Sequence, residues 1–264
     1  MPRLRVAIVA TAVGALALVA CDQAARDDAA RVDQITVAAA SDLRFAFEEL
    51  GEAFTADTGI EVTFSFGSSG LLREQIVNGA PFDLFASANV EFVDAVIEAG
   101  RGQADTRTYY AYGRLVLWAP SGSPLPGSVA DLADPQFGRI AIANPNHAPY
   151  GLAAQQALDS AGILDAVGDR LVYGENISDT LRITESGNTG VGIIALSLMA
   201  VDTNDYTLVP SDAHEPLRQA LVVTSTGARG EAARAFVEHL DSPSGREVMT
   251  SYGFALPGEA GFSD

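Results

Sequence analysis

The chain has 264 residues, 48% of them hydrophobic, and a formal charge of −18. That length suits one large domain or two lobes of ordinary size, and the acidic balance argues against a nucleic-acid-binding protein. One cysteine, Cys21, excludes an internal disulfide, and three histidines far apart in sequence (His147, His214, His239) speak against a histidine-built metal site.

Arg3 and Arg5 open the chain, and Val6 to Ala20 is apolar or small without a charge. A basic start followed by an apolar stretch too short for a comfortable span reads as a secretory signal peptide over residues 1–20. Cys21 follows in Leu18-Val19-Ala20-Cys21 and resembles the cysteine of a bacterial lipobox, which implies cleavage before Cys21 and a lipid on its thiol. Residues 21–34 are charged and Ala-rich and read as a flexible tether. Loss of the two leader arginines takes the mature chain two units lower, to near −20. Any anion site must therefore work through local dipoles and hydrogen bonds, because the long-range field repels.

From about Ile35 to Pro257 strands and helices alternate. Ile35–Ala39 reads as a strand, and Ser41 opens a helix whose Leu43, Phe47, Leu50 and Phe54 form one stripe, with Gly59 ending it. Val62–Phe66 is a strand that turns through Gly67-Ser68-Ser69-Gly70 into a second helix. Phe82–Ala86 is a buried strand before a helix from Val90 to Ala99. Further strands are expected at Leu115–Ala119, Ile140–Ala143, Val191–Leu196 and Gln219–Thr224. Further helices are expected after Ala148-Pro149-Tyr150-Gly151, from about Ile177 to Gly187, and at about Glu231–Leu240 and Pro243–Tyr252. This alternation predicts an α/β fold with parallel sheets, whose ligands sit beyond the carboxyl ends of the strands. After the signal peptide no stretch is long and apolar enough to span a bilayer.

Four helix starts carry small or polar residues: Ala40-Ser41-Asp42, Gly67-Ser68-Ser69-Gly70, Pro149-Tyr150-Gly151 and Asn176-Ile177-Ser178. First-turn N–H groups have no intrahelical partner and sit at the positive end of the macrodipole, so each start is a candidate anion site. Singly, each is as well explained by N-capping. Together, with serine hydroxyls added, they would hold a tetrahedral anion without a lysine or arginine.

The strings Val37-Ala38-Ala39-Ala40-Ser41, Phe66-Gly67-Ser68-Ser69-Gly70, Gly79 to Ala88 (GAPFDLFASA), the Asn144-to-Gly151 turn and Tyr252-Gly253-Phe254 resemble the periplasmic molybdate-binding proteins of ABC transporters. The resemblance spans the mature domain in order. It implies a two-lobe, type II periplasmic-binding-protein fold with the ligand in the interlobe cleft, one lobe from residues 35–112 and 220–264 and the other from 113–219. It implies that molybdate or tungstate is held through Ser41, Ser69 and Ile177, with Tyr150 donating through its backbone N–H and Ser68 as a possible secondary contact. Where the family often has a tyrosine hydroxyl, this chain has Ala195. It further implies no cofactor and no enzymatic activity, an ABC permease as partner, a monomer, and, with Cys21 and the following Asp22, attachment at the periplasmic face of the inner membrane.

Other readings were set against this one. Sulfate, phosphate, ferric ion or a small organic acid suit the same lobes. A serine hydrolase is disfavoured because Gly67-Ser68-Ser69-Gly70 is not a G-x-S-x-G elbow. Asp83 is expected to fix a turn or cap backbone, Arg73 and Arg182 to lie on the surface, and Trp118 to be core. His147 is expected to sit in an exposed loop and His239 on a solvated helix face.

Overall fold

A computed structural model describes residues 32–199 and 205–258. The signal peptide, Cys21 and most of the tether lie outside the described residues. Two five-stranded sheets organise the chain. The first contains β1 (Gln34–Ala40), β2 (Glu61–Gly67), β3 (Leu84–Ser87), β4 (Thr108–Gly113) and β10 (Leu217–Val223), in the order β2-β1-β3-β10-β4. The second contains β5 (Leu115–Trp118), β6 (Ile140–Ala143), β7 (Leu171–Gly174), β8 (Val191–Ala195) and β9 (Tyr206–Leu208), in the order β7-β6-β8-β5-β9. The chain passes from the first sheet to the second between Gly113 and Leu115 and returns between Leu208 and Leu217, which makes two lobes.

Eight α-helices pack on the sheets among the described residues. They are α1 (Arg44–Thr58), α2 (Ser69–Val77), α3 (Val90–Glu98), α4 (Pro149–Ser160), α5 (Leu164–Val167), α6 (Ile177–Glu185), α7 (Gly227–Asp241) and α8 (Pro243–Ser251). The sheets are mixed, not wholly parallel as the alternation suggested. β1 runs parallel to β2 and β3, and β6 parallel to β7 and β8. The strands reached without a crossover helix, β5, β9 and β10, run antiparallel to their neighbours, because a parallel neighbour needs a crossover of a dozen or more residues.

The α1 stripe of Phe47, Leu50 and Phe54 is fully buried. Phe47 and Phe54 meet Phe236 of α7 edge-on at centroid distances of 5.9 and 5.3 Å. Each such side chain contributes roughly 1.5–3 kcal/mol by leaving water. Gly59 caps α1 at φ 74°, a left-handed conformation that costs glycine little. Trp118 lies in the core. Asp83 is buried, accepts the Thr36 N–H at 2.8 Å and pairs with Arg229, so it ties β1 to the start of α7. Arg73 stays outside the cleft, against Phe92 and Glu74, and Arg182 is exposed beside Asp179. His239 departs from its expected solvated position: its ring stands edge-on to Phe54 at 5.6 Å and its side chain is only 15% exposed. Helical spacing placed it on a polar face, but α1 covers that face.

Candidate functional site

Four strands end at the interlobe cleft and turn directly into helices: β1 into a single 3-10 turn at Ser41–Leu43 and then α1, β2 into α2, β6 into α4 and β7 into α6. The four helix starts surround one small cavity. Ser41 and Asp42, Ser68 and Ser69, Pro149 and Tyr150, and Asn176 and Ile177 are among the residues that line it, so every start contributes to the wall. The cavity thus brings together Ser41, Ser69, Tyr150 and Ile177, all buried, and Ser68 with them. Among the described residues, no lysine, arginine or histidine is in its wall.

First-turn N–H groups as a rule lack a partner inside their own helix, and residues of each start line the cavity. At Ser69 the Oγ accepts the Ala88 N–H at 3.0 Å, which leaves its hydroxyl proton to donate. At Ser41 the Oγ receives the Ser178 N–H at 3.4 Å, a long contact with the same polarity. Asn176 is the N-cap of α6, its side chain accepting the Asp179 N–H at 3.0 Å, so its polar atoms serve the helix. Chemically the cavity offers neutral donors to a small anion, with the Asp42 carboxyl as the acidic group in its wall.

The cleft is closed, with direct bonds between the lobes on both flanks. The Ser68 hydroxyl donates to the His147 carbonyl at 2.5 Å and lies 2.8 Å from His147 Nδ1. The Gly70 N–H donates to the same carbonyl at 2.9 Å. On the other flank the Ser178 hydroxyl donates to the Ser41 carbonyl at 2.9 Å. His147 therefore flanks the cleft instead of sitting in an exposed loop. Ala195 pairs with Leu115 in the second sheet, is fully buried and is not part of the cavity wall.

Asp42 of the wall and Gln219 behind it were given no role of their own by the sequence reading. The Asp42 carboxyl is fully buried; its Oδ2 accepts the Tyr150 hydroxyl at 3.0 Å and the Gln219 side-chain amide at 2.6 Å, while its Oδ1 has no partner. Burial pushes the Asp42 carboxyl up, the bonds from Gln219 and Tyr150 offset that only in part, and its pKa stands at about 6. The Tyr150 phenol is held well above its usual value, by burial and by the Asp42 charge. Its hydroxyl crosses from the second lobe to Asp42 and Gln219 of the first. The available signals were Asp42 itself, an acid directly after a site serine, and Gln219, one amide in the strand Leu217–Val223.

Two α/β lobes closed on a small cation-free cavity of helix N-termini define a two-lobe solute-binding protein. The chain belongs to the bacterial extracellular solute-binding proteins: the model of that family matches residues 35–255. The molybdate-binding protein ModA of Azotobacter vinelandii is 35% identical over 232 residues, covering 86% of this chain and 92% of that protein. ModA of Rhodobacter capsulatus is 33% identical, covering 85% and 89%. The solved Azotobacter vinelandii periplasmic molybdate-binding protein superposes with a TM-score of 0.79 at 32% identity, covering 84% of this chain and 99% of that one. These matches bear out the type II binding-protein fold.

Proposed function

We propose that this protein captures molybdate, with tungstate as an equivalent ligand, and delivers it to the permease of an ABC transporter. The single observation that carries this is the convergence of four helix starts on a cavity with no cationic side chain, in a chain 35% identical to a molybdate-binding protein over most of its length. Ser41 and Ser69 donate through hydroxyl and backbone N–H, Tyr150 and Ile177 through backbone N–H. The contacts are to the oxygens of the anion, so shape and donor count select it. An anion that touches both lobes stabilises the closed form and shifts the population toward it. The closed form is what a permease would read.

The chain acts outside the cytoplasm as a binding protein, not an enzyme, and works as a monomer held at the periplasmic face of the inner membrane through a lipid on Cys21. The leader and Cys21 support the anchor, as does the 28% identity to a putative substrate-binding lipoprotein of Bacillus subtilis. Native mass spectrometry of the protein after soaking in a mixture of oxyanions tests the ligand. A one-to-one molybdate or tungstate adduct is expected, and an adduct of sulfate or phosphate alone would overturn the reading. Membrane fractionation of Cys21→Ser against wild type tests the anchor.

A further inference from the structure

Asp42 poses a problem for an anion site. Its carboxyl is fully buried, it belongs to the cavity wall, and no lysine, arginine or histidine lines that wall. Its Oδ2 already accepts two hydrogen bonds, from Tyr150 and Gln219, and its Oδ1 accepts none. A buried carboxylate oxygen without a donor is costly, and a carboxylate beside a dianion adds like-charge repulsion that no cationic side chain of the wall offsets. One proton on Oδ1 removes both difficulties: the charge is gone and the orphaned acceptor becomes a donor.

We propose that Asp42 is a further residue of the oxyanion site and faces the bound anion as a neutral carboxylic acid, so that capture of one dianion takes up one proton from solvent. This rests on the anion-binding reading above. The balance is simple: the carboxylate and a solvent proton become the acid, no other bond changes, and the Oδ1–H is available to an oxygen of the anion.

The surroundings of Asp42 agree. From α4 it meets the Tyr150 phenol, from β10 the Gln219 amide, and from β4 the Tyr110 phenol, whose ionisation the Asp42 charge opposes. The Ser197 hydroxyl donates to its backbone carbonyl at 2.8 Å. On adjoining helices Arg44 is engaged with Glu48, and Arg182 with Asp179. No cation compensates a charge on Asp42. Burial, even offset in part by those hydrogen bonds, already lifts its carboxyl to about 6, and a dianion alongside lifts it further.

The test is calorimetric titration of the full chain with sodium molybdate at about pH 8, in buffers of different ionisation enthalpy, which reads the protons bound per anion. About one proton taken up is expected, with affinity falling about tenfold per pH unit above about pH 6. Asp42→Asn should abolish the uptake and flatten the pH profile. No uptake by the wild type, or the same uptake in Asp42→Asn, would overturn the proposal, and the wild-type measurement stands even where the variant fails to fold. Failure of the wild type to bind molybdate or tungstate would instead overturn the ligand reading; repeating the titration with sulfate, also a dianion, then decides the role of Asp42 by itself.

Discussion

Gly70 of the first lobe lies directly against the backbone carbonyl of His147 in the second: its N–H donates to that oxygen at 2.9 Å, and a methyl group on its Cα would stand 2.7 Å from the same atom. Backbone faces backbone there, so neither side can yield by a rotamer change. Gly70→Ala should fold normally yet resist closure. Small-angle scattering with saturating molybdate should show it more open than wild type, with at least about tenfold weaker binding, or 1.4 kcal/mol. Wild-type affinity in this variant would mean that closure does not need the contact.

Ser69 offers the cleanest test of a single donor. Its Oγ accepts from Ala88, so its proton is free for the anion. Ser69→Ala should weaken molybdate binding by about tenfold to a hundredfold, the range of 1.5–3 kcal/mol for hydrogen bonds to charged groups. Unchanged affinity in titration would remove Ser69 from the site.

Tyr150 has two separable roles. Its backbone N–H belongs to the cavity, and its hydroxyl to the Asp42–Gln219 cluster. Tyr150→Phe keeps the ring and deletes only the hydroxyl, leaving Oδ2 of Asp42 with one donor fewer. Chemical denaturation should show a loss of about 1–3 kcal/mol in stability, the penalty for a buried polar group short of a partner. A stability equal to wild type would show that water replaces the hydroxyl.

Asp42 also gives ligand-free stability a definite pH dependence. Its folded value of about 6 lies above the ordinary 3.8, so the folded state binds this proton more tightly than the unfolded chain. The stabilisation is fully present below about pH 4 and is lost as pH rises through about 6, a change of about 3 kcal/mol for this buried group. Asp42→Asn carries no such loss. Urea melts of both proteins should show the variant gaining on wild type between about pH 4 and 7. A constant difference across that range would place the Asp42 pKa near its ordinary value.

Most of the fold was readable from periodicity. The stripe Leu43, Phe47, Leu50 and Phe54 announced α1, and Ile140–Ala143 was located to the residue. The short edge strands β7 and β9, and β4 at the crossing between sheets, were missed: three to six residues carry too little pattern when one face is open or half the strand is tyrosine. The four helix starts were visible because glycine, serine and proline mark them. The Asp42–Tyr150–Gln219 cluster was not, since its members are 69 to 177 residues apart and only the folded chain joins them. His147 was misplaced for the same reason: its partner Ser68 lies in the other lobe.

Calorimetric titration of the full chain with molybdate, tungstate, sulfate and phosphate tests the central claim most directly. The cavity presents donors and, with Asp42 neutral, no acceptor for the proton of hydrogen phosphate, and an unpaired buried donor is penalised. Sulfate is smaller than molybdate and would leave a rigid ring of N–H groups at long range. Molybdate and tungstate should therefore bind one-to-one and at least about a hundredfold more tightly than sulfate, a gap of roughly 2.7 kcal/mol. Equal affinity for sulfate, or tighter binding of phosphate, would contradict the molybdate reading.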